Sequence, residues 1–340
     1  MDKTSKPEWK VPWKGMVVAL LVSAGALAVI FWQISSPREV LQELREYPLR
    51  HFFGALFFVL AAWIVDGQRI GTLARALGQS IPWWELTIVL GAANFLTLVT
   101  PFAGGGGALI VYYLYRRGLK ASRATAVVLG GGLAGQSALA LLGLSTSSLL
   151  PSVPPDLAAY FTTVKIGALV YLSIIAALQV GIVKSERLFQ WVFRKFGRQS
   201  RSAAWLADFR STYEFLLTKR TGHYLTCVAI AFSYYVVYYT GTFLLLGGFG
   251  IFYPLLRFAL AVLFGVAPVF SPIPGGAGLS EGISWAVLDG VLQPDELASF
   301  ILLWRAVVFY IPILLGGTIF VVLVMRWASG GNIKGRRGSY

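Results

Sequence analysis

Long apolar stretches separated by short polar ones run through almost the whole chain. They cover residues 15–32, 51–65, 81–100, 101–115, 124–145, 159–183, 223–246, 254–270, 272–291 and 299–325. A helix of about 20 apolar residues spans a hydrocarbon core of about 30 Å, so the pattern predicts an all-α polytopic membrane protein. The run from Gly15 to Trp32 follows Lys3, Lys6, Lys10 and Lys14 and is long for a signal-peptide core, with no clear cleavage site after it. It is expected to be a retained first membrane helix. Two boundaries lack a polar linker. Between 81–100 and 101–115, and again between 254–270 and 272–291, proline and clustered glycine interrupt the run instead.

Those interruptions are copies of one another. Thr100-Pro101-Phe102-Ala103-Gly104-Gly105-Gly106-Gly107 matches Ser271-Pro272-Ile273-Pro274-Gly275-Gly276-Ala277-Gly278, at an offset of 171 residues in a chain of 340. Both read [ST]-P-x-[AP]-G-G-x-G. Proline and glycine break helices, and broken backbone at membrane depth survives only when buried in protein or lining a wet cavity. Gly/Pro-interrupted segments at corresponding positions of two halves are the best sequence pointer to a transporter's binding site.

Charge orients the segments. Residues 184–222 hold nine Lys and Arg against three acids, 116–123 hold Arg116, Arg117, Lys120 and Arg123, and the C-terminal tail adds Arg326, Lys334, Arg336 and Arg337. Residues 146–158 and 289–298 carry no Lys or Arg, only Asp156, Asp289, Asp295 and Glu296. The first group is expected to be cytoplasmic and the second external, with both termini cytoplasmic in a multi-pass cell (inner) membrane protein. Segment 81–115 then starts and ends inside, and 254–291 starts and ends outside, as inverted-topology repeats require. The expected organisation is one membrane domain over 1–340. It holds a first repeat core at 81–145, a basic amphipathic segment at 184–222 on the cytoplasmic leaflet or bundle end, and a second repeat core at 254–325. Arms that turn back midway and arms that cross both satisfy the charge pattern; the 15-residue arm 101–115 favours a re-entrant hairpin.

Composition supports this picture. The chain is 56% hydrophobic and 13% charged, with mean hydropathy +0.69, whereas soluble domains carry about 25% charged residues. The net charge of +14 is spread over the loops, which points to topology and anionic lipid rather than nucleic acid. Two His and one Cys cannot build a zinc or iron–sulfur site alone, and no cofactor is expected.

Free N–H groups at Gly105–Gly107 and Gly276–Gly278 precede helical runs, an arrangement that favours an anion such as a lipid phosphate. The alternative is close helix packing, the reading preferred for Gly130, Gly131, Gly132 and Gly135. On this basis Gly105→Val and Gly276→Val are expected to abolish function at near-normal stability, and Gly131→Val to lose stability first. Ionisable residues within apolar segments are costly and mark pathways. Glu281 sits just after the second motif and Arg305 in the next helix, and an ion pair would satisfy both; the alternative is that each snorkels to an interface. Asp66 and Arg69, at i, i+3, are expected to pair locally where the second segment closes.

The second motif extends through Leu279-Ser280-Glu281 to Leu303-Trp304-Arg305 and Tyr310-Ile311-Pro312, with Gly316 and Gly317 beyond. This resembles the flippase-like membrane domain of the lysylphosphatidylglycerol synthase family, whose P-G-G-x-G-x-x-E loop is followed by a Tyr/Trp-Arg helix ending in a proline. Residues Asn94 through Gly107 resemble that family's other loop. The resemblance covers essentially the full chain and implies a lipid-translocating domain. Family members often carry a Glu-Arg pair in the helix after the first loop, where Gly131-Gly132 stand here. A polar residue commonly follows that loop's glycines, where Ala108-Leu109 stand. No synthase domain follows the last segment, so aminoacyl transfer from tRNA is not expected.

The sequence therefore points to a flippase-like transporter, not an enzyme. It would move a phospholipid, or a glycolipid or isoprenoid-linked lipid, between leaflets, with membrane lipids (anionic phospholipid foremost) as partners and a homo-oligomer as one assembly. The residues expected to bind or gate are Asn94, Thr100, Pro101, Gly104, Gly105, Gly106, Gly107, Ser271, Pro272, Pro274, Gly275, Gly276, Gly278, Glu281, Arg305 and Tyr310. No G-x-x-x-x-G-K-[ST] motif is present, so movement is expected to be downhill, ion-coupled or driven by a partner. The alternatives are a secondary transporter of a soluble anion and an intramembrane lipid-modifying enzyme.

Overall fold

The computed structural model describes residues 37–100, 104–150, 155–184, 200–251, 253–266 and 273–329, together with positions 17, 21 and 25. Most of the first apolar segment, the stretch 185–199, and Pro101, Ser271 and Pro272 lie outside the described residues. The described chain is built of helices: α1 (Pro37–Glu46), α2 (Leu49–Ala76), α3 (Trp83–Val99), α4 (Gly104–Arg116), α5 (Ala121–Leu149), α6 (Pro155–Lys184), α7 (Ser200–Thr218), α8 (Thr221–Gly248), α9 (Pro254–Val266), α10 (Leu279–Leu288), α11 (Pro294–Arg305) and α12 (Ile311–Ala328). By length and apolarity α2, α5, α6, α8 and the continuous α11–α12 run can cross a membrane. The short helices α3, α4, α9 and α10 flank the two motifs, where proline and glycine cut the apolar runs.

The core is α2 against α8, with α3, α5 and α12 packed around them. Small residues set the close crossings, as expected where lipid and protein are equally apolar. A Cβ on Gly241 of α8 would lie 2.9 Å from the Ala55 carbonyl oxygen of α2, and one on Gly316 of α12 would lie 2.6 Å from that of Gly91 in α3.

Contacts sort the loops into two ends, about 40 Å apart along the 28-residue helices α2 and α8. At one end Arg117 and the Tyr113 hydroxyl both meet Glu85, Arg116 lies over Trp327, Ser122 and Arg123 hold Asp208, and Arg210 donates to the Val183 carbonyl at 2.7 Å. The Ser122 hydroxyl, with Arg123 beside it, holds the Asp208 carboxyl below its ordinary range. At the other end the Tyr47 hydroxyl donates to Leu245, Ser299 reaches Val40, and Tyr160 donates to the Ala286 carbonyl. The basic segments 116–123 and 200–222 thus share one end, and 37–47, 155–160 and 286–299 share the other. The described part of the basic segment, α7, covers the bundle end by burying Phe209 and Tyr213.

One expectation about a helix end is corrected. The helix bearing Asp66 and Arg69 does not close near residue 65 but runs on to Ala76, which places the pair roughly 10–15 Å inside its end. The helix bearing Arg305 runs on through Pro312, as the single apolar segment 299–325 leads one to expect. It widens into one π turn over Ala306–Tyr310 and continues as α12. Pro312 has no N–H for the Val308 carbonyl and its ring crowds that carbonyl, so the wider turn absorbs the proline.

Candidate functional site

The second motif forms a tight loop because three glycines take left-handed conformations that other residues adopt only at a cost. Gly275, Gly276 and Gly278 have φ of +63°, +64° and +81°, around a 3-10 turn at Pro274–Gly276. Gly278 is the N-cap of α10, and its N–H donates to Glu281 Oε2 at 2.8 Å. The other carboxylate oxygen meets Arg305 Nε at 3.0 Å, with both side chains buried (0% and 2% exposed). Arg305 Nη1 donates to the Gly275 carbonyl at 3.1 Å, the Tyr310 side chain hydrogen-bonds the same guanidinium, and the Phe309 ring lies 4.0 Å from it. One arginine thereby ties loop, helix α10 and the π turn together.

A cavity of about 350 Å³ opens on this assembly. Gly275, Gly276 and Arg305 line it, as does Ser280, whose buried hydroxyl has no hydrogen-bond partner among the described residues. Glu281 does not. Its carboxylate is taken up by the Gly278 N–H and by Arg305, so Arg305 is the member of the pair that borders the cavity.

The first motif closes differently. The Thr100 hydroxyl donates to the Leu96 carbonyl at 2.6 Å and accepts from the Gly105 N–H at 2.9 Å, a neutral counterpart of the Glu281 cap. Gly106 and Gly107, in the first turn of α4, line a second cavity of about 280 Å³ together with Asp66 and Arg69. Asn94, Thr97, Gln136, Tyr235, Trp63 and Tyr234 belong to the walls of both cavities. The two motifs thus address one polar region inside an apolar bundle.

Of the residues expected from sequence, Asn94, Gly106, Gly107, Gly275, Gly276 and Arg305 face the cavities. Thr100, Gly105, Pro274, Gly278, Glu281 and Tyr310 shape or support the loops, and Gly104 is exposed. The sequence reading passed over the α8 tyrosines, Thr97, Gln136 and Ser280. Tyr234, Tyr235, Tyr238 and Tyr239 all line the larger cavity. Their i, i+1, i+4, i+5 spacing puts them on one helix face, a usable signal hidden by the apolar character of the run. Gly132 and Gly135, assigned to packing, line the smaller cavity.

A comparison with curated proteins gives no match. The family model for the lysylphosphatidylglycerol synthase TM region matches residues 16–316, which take in both glycine loops, the Glu281–Arg305 pair and the cavity-lining helices. The chain therefore belongs to the lysylphosphatidylglycerol synthase transmembrane family.

Proposed function

We propose that this protein moves an anionic, phosphate-bearing lipid between membrane leaflets, with the headgroup in the paired cavities and the tails in lipid. The observation that carries this reading is the orientation of the Glu281–Arg305 pair. An arginine costs heavily in an apolar bundle, and this one borders a polar cavity while its carboxylate partner faces the loop. The donors bordering the cavity are Arg305, the Ser280 hydroxyl and the α8 tyrosines; Asn94 and Gln136 supply neutral polar surface for the rest of a headgroup. Membership of a family of lipid-handling membrane domains supports the same conclusion.

The two motif hairpins act as inverted repeats that enter from opposite faces. Arg117 and Tyr113 meet Glu85 at the open end of α3–α4. Helices of 17 and 13 residues, about 25 and 20 Å long, fall short of a full crossing. The Lys/Arg excess at that end assigns it to the cytoplasm in a cell membrane. Cysteines at 116–123 and 200–222 are expected to react only from the cytoplasmic side and those at 289–298 only from outside. Labelling of 116–123 and 289–298 from the same face would remove the inverted arrangement.

The functional reading is tested in vesicles holding the purified chain and fluorescent phosphatidylglycerol, with dithionite quenching of the outer leaflet. Quenching is expected to proceed past the outer-leaflet half in protein-containing vesicles and to stop there in empty ones. Equal plateaus with and without protein would defeat the proposal.

A further inference from the structure

The function above uses one arginine, and the cavities hold a second. Arg69 Nε bonds Asp66 Oδ1 at 2.6 Å within α2, and the far side of its guanidinium donates to the Gly131 carbonyl of α5. Both side chains are 14% exposed and line the smaller cavity. The room for this comes from absent side chains: Cβ atoms on Gly131 and Gly135 would lie 3.6 and 3.2 Å from Arg69 Nη1. The glycine run of α5 is therefore the bed of a guanidinium reaching across from α2. Gly106 and Gly107 of the α4 first turn border the same space, and the N–H of Gly106 is among those that lack a helical acceptor. The wall shared with the Arg305 cavity contributes Gln136, whose Oε1 is buried without a partner among the described residues.

We infer that Arg69 is a second phosphate-binding station, so that the anion passes between Arg305 beside the second motif and Arg69 beside the first. This rests on the lipid-moving reading and deepens it. Each station has the same parts: an arginine bordering the cavity, a carboxylate neutralising it when empty, a backbone carbonyl fixing the guanidinium, and glycine backbone opposite. Between them lie neutral groups, Asn94, Thr97, Gln136 and Tyr235, which offer hydrogen bonds without holding a charge. Two moderate sites separated by a neutral strip let an anion leave each one, whereas a single strong site would trap it. Asp66 is the element that keeps Arg69 moderate, since a phosphate must displace it.

A signed pair of variants tests the station. In the vesicle assay Arg69→Gln is expected to slow phosphatidylglycerol movement at least about tenfold, the size of one lost charge-assisted hydrogen-bond pair. In detergent it should weaken binding of soluble dihexanoyl phosphatidylglycerol. Asp66→Asn should also slow movement but tighten that binding, because the competing carboxylate is gone. If the pair only cross-links α2 to α5, both variants lose thermal stability and shift binding in the same direction, and the station is wrong. Arg69→Lys then serves as the folded check: wild-type binding and rate with a shorter, non-forked cation would equally overturn it. Wild-type movement by Arg69→Gln sinks the station and leaves the lipid reading standing; no movement by the wild-type chain sinks the lipid reading itself. An Arg69-dependent flux of glycerol 3-phosphate without lipid movement supports a phosphate station and overturns the lipid as its source.

Discussion

Glu281→Gln and Arg305→Gln are each expected to destabilise the protein by about 3–5 kcal/mol, and the double substitution by less than either single one. Removing one member of a buried ion pair strands the other charge away from water, and that is the costly state. Here the stranded group has nowhere to go, since the two side chains are 0% and 2% exposed. Arg305→Gln should be the worse single change, because it also forfeits the bond to the Gly275 carbonyl and the Phe309 face. With Glu281→Gln, the amide oxygen still accepts from the Gly278 N–H. Thermal unfolding in detergent and vesicle translocation measured on the same preparations check this. Losses that add, within error, across the two singles and the double would show that the pair does not act as a unit.

The glycines divide by what a side chain would meet, and this revises an expectation drawn from the repeat. Gly275→Ala should collapse stability and translocation together. Its φ of +63° costs any L-residue about 1–2 kcal/mol, and the new methyl would overlap the Phe309 ring, adding an overpacking cost of about 1–3 kcal/mol. Gly276→Val carries the same backbone penalty at φ +64°. Gly105→Val would press on Thr100 and Leu96, at 2.8 and 3.2 Å from the Cβ alone. Neither is therefore expected to keep wild-type stability. The variant that separates function from folding lies in the run assigned to packing. Gly132 lines the smaller cavity, and a Cβ there meets no atom within 4 Å. Gly132→Leu should keep or raise the melting temperature, since replacing a mid-helix glycine recovers up to about 1 kcal/mol, while its side chain fills the path. Gly131→Val, with a Cβ 3.0 Å from Ile70, should still lose stability first. Unimpaired lipid movement by a stable Gly132→Leu protein would place the path elsewhere.

Hydropathy and charge by themselves determined the apolar segments, the two broken boundaries and the grouping of loops by charge. They offered the Glu281–Arg305 partnership beside separate snorkelling to the interfaces, and the structure decides for the pair. The family was legible as a resemblance carried by the same residues, and the structure shows what the P-G-G-x-G-x-x-E spacing does: the carboxylate caps its own loop. What only the tertiary structure decided is which face of each helix meets the cavity. In a bilayer the lipid-facing and protein-facing sides are both apolar, so periodicity does not separate them as it does for a helix in water. Hence the α8 tyrosines passed as part of an apolar run and Gly132 as packing. Asp66 and Arg69 passed as a helix end, because nothing local indicates that α2 continues to Ala76. Glu281, placed correctly at the head of its helix, turned out to face the loop rather than the cavity. That choice is made by hydrogen bonds to Gly278 and Arg305 across 24 residues of chain, contacts that only the folded chain brings together.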